Sequence, residues 1–474
     1  MPSGRRPPLP AIALAYLAAG IVFAGHLALG AGHTNVTLTL AAIWFAVLAA
    51  LLASQSWARR AVQEAALGWP AVPFALVLLL AVLSLTPFGV GGPNPIWSFV
   101  PGATATATID PYATLVELIK LMALAAVFLV GVAFGGDDGR AKALIRALLL
   151  LGALYCAWAF VDHALSPNLL FGSPRPFGPD RLSASFGSAN TAATLFGALT
   201  LLNIVDLART YQSGRRRGSH RDHDILQRAP ALARPLLALA LSLTCLVLTQ
   251  SRAGMAATAG VGLALLGALA ASRSGPSSPS APVLGATAVV TGLALGSVAL
   301  NLGALQQRFL FIGPDTLGRG QIFAAHWSAF QAAPWGGYGL GSFARINAMI
   351  MDRSNLVAIG SIGAAHNVYI QWLEEAGVAG AAAMFAVVAT IGIRLIIGAV
   401  RRRGMRGWLM GIGAALLLFL LHGATDYALE VFSMALFLSL LLGAGFAAAA
   451  PSAAARSPER PPNRVRARKT LAPA

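Results

Sequence analysis

The sequence predicts an all-α polytopic membrane protein of about twelve transmembrane helices, with a large loop domain on the outer face between two late helices. Three observations carry that prediction. The 474-residue chain is 57% hydrophobic and only 11% charged, with a mean hydropathy of +0.70, whereas soluble domains are roughly 45–50% apolar and about 25% charged. The apolar excess is gathered into blocks of about 20 residues, the length a helix needs to cross a bilayer. The basic residues fall in short stretches between those blocks, as polytopic insertion requires.

In chain order the blocks lie near 11–30, 37–54, 71–89, 113–135, 141–163, 188–208, 235–250, 253–271, 282–303, 376–398, 408–424 and 429–449. The first follows Arg5 and Arg6, as a signal peptide would. It is long for one and lacks a small-residue cleavage site, so it reads as an uncleaved span. With the N-terminus in the cytoplasm, the inner segments hold Arg59 and Arg60, Arg140 and Lys142, residues 215–217, residues 401–403 and the tail 456–469. Most of the 34 lysines and arginines are then inside, which sets both termini in the cytoplasm. The 209–234 loop and the tail beyond Pro451 read as basic, solvated topology determinants, and 274–280 reads as a linker. The outer face receives loops at 90–112 and 164–187 and the segment 304–372. A connection that long is unusual unless functional or disordered, and its aromatics and helical patterning argue against disorder.

A formal charge of +17 could suggest nucleic acid. The charge is dispersed among membrane loops, however, and no basic groove interleaved with aromatics is visible. Cys156 and Cys245 both fall inside apolar blocks, so there is neither a disulfide framework nor a metal-binding Cys-x-x-Cys.

The outer face holds the informative residues. Thr-Gln-Ser-Arg-Ala-Gly at 249–254 joins two apolar blocks and puts Arg252 at the outer surface. Such an arginine can simply snorkel to lipid phosphates. Arg175, Arg181, Arg308, Arg319, Arg345 and Arg353 also lie outside, against the insertion rule, and together they suggest an anion site. Residues 318–334 predict a helix ended by Pro334, with Phe323, Trp327 and Phe330 as its apolar stripe. Arg319 would stand in its first turn, where the helix dipole disfavours a cation unless an anion binds there too. Residues 334–343, Pro-Trp-Gly-Gly-Tyr-Gly-Leu-Gly-Ser-Phe, form an irregular glycine-rich backbone able to approach a ligand, although ordinary turns need glycine as well. In Ala-His-Asn-Val-Tyr-Ile-Gln-Trp-Leu-Glu-Glu-Ala-Gly (365–377), Asn367 can cap a helix that Gly377 ends before the next span. His366 then lies at the helix entrance, where the dipole keeps imidazole neutral and able to accept a proton. A loop histidine is often only structural; the arginine-rich setting raises the catalytic reading. Of Glu374 and Glu375, one is expected to orient a neighbour.

Several absences narrow the chemistry. No Asp-x-Asp lies in an outer loop, which weakens a divalent-metal sugar transferase. There is no P-loop, nucleophile elbow or zinc spacing. Glu117 and Lys120 lie three apart in one span and can pair, and further intramembrane charges are few. Arginines at an outer leaflet, a neutral base and no metal suit an anionic lipid diphosphate. The guanidinium groups would stabilise the leaving charge, and His366 would take the proton of an attacking hydroxyl.

Taken in order, Thr-Gln-Ser-Arg-Ala-Gly, Gly-Arg-Gly with Trp327 and Pro334-Trp-Gly-Gly-Tyr-Gly-Leu-Gly, and Ala-His-Asn-Val-Tyr-Ile-Gln-Trp-Leu-Glu-Glu-Ala-Gly resemble the O-antigen ligase and polymerase superfamily of bacterial envelope enzymes. The resemblance spans about 235–395; Arg181 with Phe186 and Asn190, and His422 with Asp426, look like weaker family positions. It implies a GT-C-like fold and a metal-independent, inverting glycosyltransferase without a cofactor, in the bacterial inner membrane with its site facing the periplasm. The donor would be an undecaprenyl-diphosphate-linked glycan, and the acceptor lipid A-core or another glycan. By position His366 would be the base, Arg252 and Arg319 with Arg181 would hold the diphosphate, and Asn367, Trp327 and Glu374 would support them.

The corresponding domains are the N-terminal helices at 1–234, a ligase-like core at 235–398 that includes the loop 304–372, C-terminal helices at 399–449 and a basic tail at 450–474. The dominant late outer loop favours a ligase over a polymerase or exopolysaccharide assembly enzyme. A protein O-oligosaccharyltransferase and a membrane transporter are the remaining alternatives.

Overall fold

The computed structural model describes residues 9–175, 181–217, 225–272 and 312–450. These residues form an all-helical bundle whose only strands are the two-residue pair Leu169–Leu170 and Ser173–Pro174. In chain order the helices are α1 (Leu9–Leu27), α2 (Thr34–Ser54), α3 (Ser56–Glu64), α4 (Gly68–Ser84), α5 (Pro111–Gly135), α6 (Asp138–Leu165), α7 (Ala189–Arg217), α8 (Ile225–Leu248), α9 (Arg252–Ala271), α10 (Ile312–Ala332), α11 (Phe343–Ile350), α12 (Leu356–Ile359), α13 (Val368–Arg401), α14 (Arg406–Gly423) and α15 (Phe432–Ala448).

Among the described residues nine helices are long and apolar enough to cross a membrane: α1, α2, α5, α6, α7, α8, α9, α13 and α14. The expected count of twelve is not reached, for three reasons. The block at 71–89 is only part of a helix pair, α3 and α4, bent by 87°. The block at 429–449 yields the 17-residue α15, and the block at 282–303 lies outside the described residues. The interval 209–234, read as a loop, is largely taken up by extensions of α7 and α8. The tail beyond 450 also lies outside the described residues.

Small residues set the closest packing. A Cβ added at Gly131, Gly135 or Gly443 would come within 2.3 Å of a backbone oxygen on the facing helix, so α5 and α15 touch backbone to backbone. Such contact stands in for a hydrophobic drive that lipid surroundings do not supply. At the centre, the apolar residues of α7, from Ala192 to Leu207, are buried on all sides, as expected of a helix that is apolar all round. Its first turns carry polar residues instead, Asn190, Thr191 and Thr194, and these turn out to lie at the site.

Candidate active site

Each residue of 249–254 has a local role. Thr249 ends α8, with its hydroxyl donating to the Leu246 carbonyl (2.6 Å). Gln250 takes a left-handed backbone (φ 50) that turns the chain. Ser251 caps α9 by accepting from the Gly254 amide at 3.3 Å, and Arg252 opens that helix. Gly254 allows the helix end to close on its neighbours: a Cβ there would lie 2.7 Å from the Ala193 methyl and 3.2 Å from His422 Cε1. Arg181 binds the same turn, its Nε donating to the Thr249 carbonyl (3.0 Å) and its Nη2 to Asn190 Oδ1 (3.2 Å).

His422, at the end of α14, is therefore where several helix ends meet. Its Nδ1 is 2.7 Å from Thr194 Oγ1 on α7. Gly423 beside it packs on Val368, the first residue of α13, and the Tyr369 hydroxyl donates to the Leu420 carbonyl at 2.8 Å. The N-termini of α7, α9 and α13 thus gather around the C-terminus of α14. Ser188, Ser251 and Asn367 cap amides in these first turns, and each helix brings the positive end of its dipole here, which favours an anion.

His366 lies just before α13. Asn367 is the N-cap, accepting from the Tyr369 and Ile370 amides at 3.0 and 3.2 Å. His366 itself has φ 53, a backbone that costs a non-glycine residue about 1–3 kcal/mol. Its ring packs edge-on against Tyr427 at 4.8 Å, and its Nδ1 is buried with no hydrogen-bond partner among the described residues. Burial, reinforced by the positive charge of Arg319, lowers its pKa to about 4. Arg319 also acts on Asp426, whose carboxyl is nonetheless pushed up to about 6 by burial. Half-buried Arg319 is therefore electrostatically within reach of both His366 and Asp426.

Several expectations need correction. Helix α10 begins at Ile312, so Arg319 is not in its first turn and the dipole argument made for it lapses. The buried face of α10 is Ile322, His326, Ala329 and Phe330; Trp327 is 43% exposed, with its ring 4.9 Å from that of Phe330. Arg175 is ion-paired with Asp162, and Arg345 pairs with Asp110 at 3.2 Å, so both have protein countercharges. Arg308 lies outside the described residues, and Arg353 is exposed.

The glycine-rich loop approaches protein backbone. Helix α13 breaks at Gly377 (φ 64), leaving the Glu374 and Glu375 carbonyls without their usual helical partners. The loop supplies them: Tyr338 N donates to Glu374 O (2.9 Å) and Gly339 N to Glu375 O (2.8 Å). Cβ atoms at Gly337 or Gly377 would collide with the opposite backbone at 2.5 and 2.2 Å. The Glu375 carboxylate accepts from the Gly341 and Phe343 amides at 2.7 and 3.2 Å. The two motifs are the halves of one joint.

One residue escaped the sequence reading. His326 Nδ1 lies 2.8 Å from Glu374 Oε2, with both side chains fully buried, which ties α10 to α13. His326 is seven residues after Arg319, two turns along the same helix face, and that spacing was the available signal. Burial lowers the His326 pKa to about 4.

No curated protein matches the chain. Residues 237–385 match the family model described as O-Antigen ligase, a stretch that contains Arg252, Arg319, His326, His366 and Glu374. The match covers 149 of the 474 residues and supports an O-antigen ligase or polymerase family assignment.

Proposed function

We propose that this protein is an inverting, metal-independent glycosyltransferase. On this reading it moves a glycan from undecaprenyl diphosphate to a hydroxyl acceptor at the periplasmic face of the bacterial inner membrane. The observation that carries the reading is a half-buried His366, its Nδ1 out of reach of solvent and its pKa lowered by burial and by Arg319, near a junction of three helix N-termini. The acceptor oxygen attacks the anomeric carbon from the side opposite the diphosphate. Its proton passes to an imidazole nitrogen of His366 as the bond from the anomeric carbon to the diphosphate oxygen breaks. The electron pair leaves with the diphosphate, where Arg252, Arg319 and the helix ends hold the charge. Arg181, which already binds Thr249 and Asn190, positions the Arg252 turn in addition to any contact with donor.

Burial is the main cause of the lowered His366 pKa, and Arg319 adds to it; a diphosphate bound beside Arg319 offsets that second contribution, so the donor itself makes the base stronger. We favour ligation to lipid A-core, because a single late outer segment carries both Arg319 and His366. The test is reconstitution with an undecaprenyl-diphosphate-linked glycan and rough lipopolysaccharide. His366→Ala is expected to lose at least 100-fold in rate, within the range for removing a general base; undiminished transfer would remove His366 from the mechanism. Gene deletion separates the two acceptor classes. Lipid-linked polymer left unattached to lipid A marks a ligase, whereas single repeat units alone mark a polymerase.

A further inference from the structure

A cavity of about 240 Å³ opens at the same end of the bundle, between the start of α2, the first turns of α5, the start of α15 and Gly341 of the glycine-rich loop. Three ionisable side chains line it: Glu117, Lys120 and Glu430. Lys120 Nζ lies 2.5 Å from Glu117 Oε2, within an otherwise apolar candidate span. Glu430 belongs to neither pair nor cap; among the described residues its carboxylate has no hydrogen-bond partner, and it faces the cavity half-buried.

The cavity is joined to the proposed active site through one short loop, 424–431. Asp426 of that loop feels Arg319, Tyr427 packs on His366, and the Glu430 amide donates to the Tyr427 carbonyl at 2.9 Å. On the other side, Glu375 holds the Gly341 amide that walls the cavity. Anything bound between Glu117 and Glu430 therefore lies one loop away from His366.

Chemistry narrows the occupant. Two carboxylates to one ammonium repel a phosphate, so this is not a second diphosphate site. A cation would meet the Lys120 ammonium at 2.5 Å from the nearest carboxylate oxygen. A lipid chain would strand three ionisable groups out of water, which is costly. A neutral molecule dense in hydroxyls satisfies all three at once: the carboxylates accept from hydroxyls, and the ammonium donates to hydroxyl or ring oxygens. The exposed ring of Tyr112 at the rim offers a flat apolar face for the C–H side of a sugar. Burial also pushes the Glu430 carboxyl up to about 7, so it can serve as donor or acceptor.

We propose that the cavity lined by Glu117, Lys120 and Glu430 is a saccharide subsite, holding a sugar unit of one of the two substrates while His366 acts on the reacting hydroxyl. This rests on the glycan-transfer reading above. It is tested by steady-state kinetics of reconstituted protein, with an undecaprenyl-diphosphate-linked repeat unit as donor and rough lipopolysaccharide as acceptor. The variants are Glu430→Gln and Val116→Phe; the latter narrows the cavity without changing charge.

The expected result is a KM increase of roughly tenfold or more for one substrate, the effect of losing a hydrogen bond to a charged group, with kcat changed far less. A rise confined to the acceptor assigns the cavity to acceptor sugar, and one confined to the donor assigns it to donor sugar. Unchanged KM for both substrates in both variants would overturn the subsite and leave the transfer reading intact. Absence of transfer by the unmodified protein would instead overturn the transfer reading, and the subsite with it.

Discussion

In the proposed mechanism His366, Arg252 and Arg319 divide the work in a way that residue-level chemistry can test. Arg252→Lys keeps the charge at the start of α9 but loses the planar, two-pronged donor that matches a diphosphate. We expect it to lose about 1.5–3 kcal/mol of transition-state binding, the range for charge-assisted hydrogen bonds. Wild-type kcat/KM in that variant would return Arg252 to lipid snorkelling. Arg319 acts differently, through its field. Its positive charge adds to burial in holding His366 near 4. In Arg319→Gln that part of the shift is removed, the pKa of His366 rises, and the base becomes protonated at a higher pH. The acid limb of the kcat/KM profile should therefore move upward, and an unmoved limb would uncouple the two residues. The sequence singled out His366 and Arg319, and the fold brings them within each other's field. The corrected explanation for Arg319 was not legible there, because the start of α10 lies seven residues before it, where no capping signal marks a helix end.

Among the elements, α10 and α13 matter most. The stripe of Phe323, Trp327 and Phe330 looked like the buried face of α10 because aromatic residues dominate a hydrophobic count. The face that packs is rotated from it and contains His326, which is polar and so disappears from an apolar pattern. Its partner Glu374 lies 48 residues later, beyond the reach of any local rule. Helix caps, by contrast, depend on a few adjacent residues, and both Asn367 and Gly377 were readable for that reason.

The buried His326–Glu374 contact ties α10 to α13 two turns after Arg319, and we infer that it helps to set the direction of Arg319. Glu374→Gln should then cost transfer activity in the parent but little more once Arg319 is alanine. The double-mutant cycle is expected to give a coupling of about 0.5–3 kcal/mol. Purely additive losses would make the pair a structural brace with no influence on Arg319. The glycine-rich loop was legible as irregular backbone, but its purpose was not. The carbonyls it caps exist only because α13 breaks at Gly377.

For the whole molecule, hydropathy gave the membrane-spanning helical class without difficulty, since the apolar blocks are long and the signal is additive. The precise number of spans was less accessible, because a block of apolar residues does not show that α3 and α4 meet at 87°. The proposed orientation places α11, α12 and the start of α13 in the periplasm. The two native cysteines, Cys156 and Cys245, are buried, so a single cysteine introduced at exposed Ser354 should report alone. Labelling of Ser354→Cys by a membrane-impermeant maleimide in intact spheroplasts is the expected outcome. Labelling only after the membrane is opened would invert the topology and remove the lipid-linked donor from reach of His366.

The left-handed backbone at His366 has a consequence for engineering. A redesign that optimised thermal stability from backbone geometry alone would choose glycine at position 366, because glycine adopts φ near 53 without strain. The resulting protein should be harder to unfold and, on the proposed mechanism, unable to take the acceptor's proton. Stabilising this enzyme without disarming it therefore means working at distant sites such as the α5–α15 contact, and leaving one unfavourable residue conformation in place.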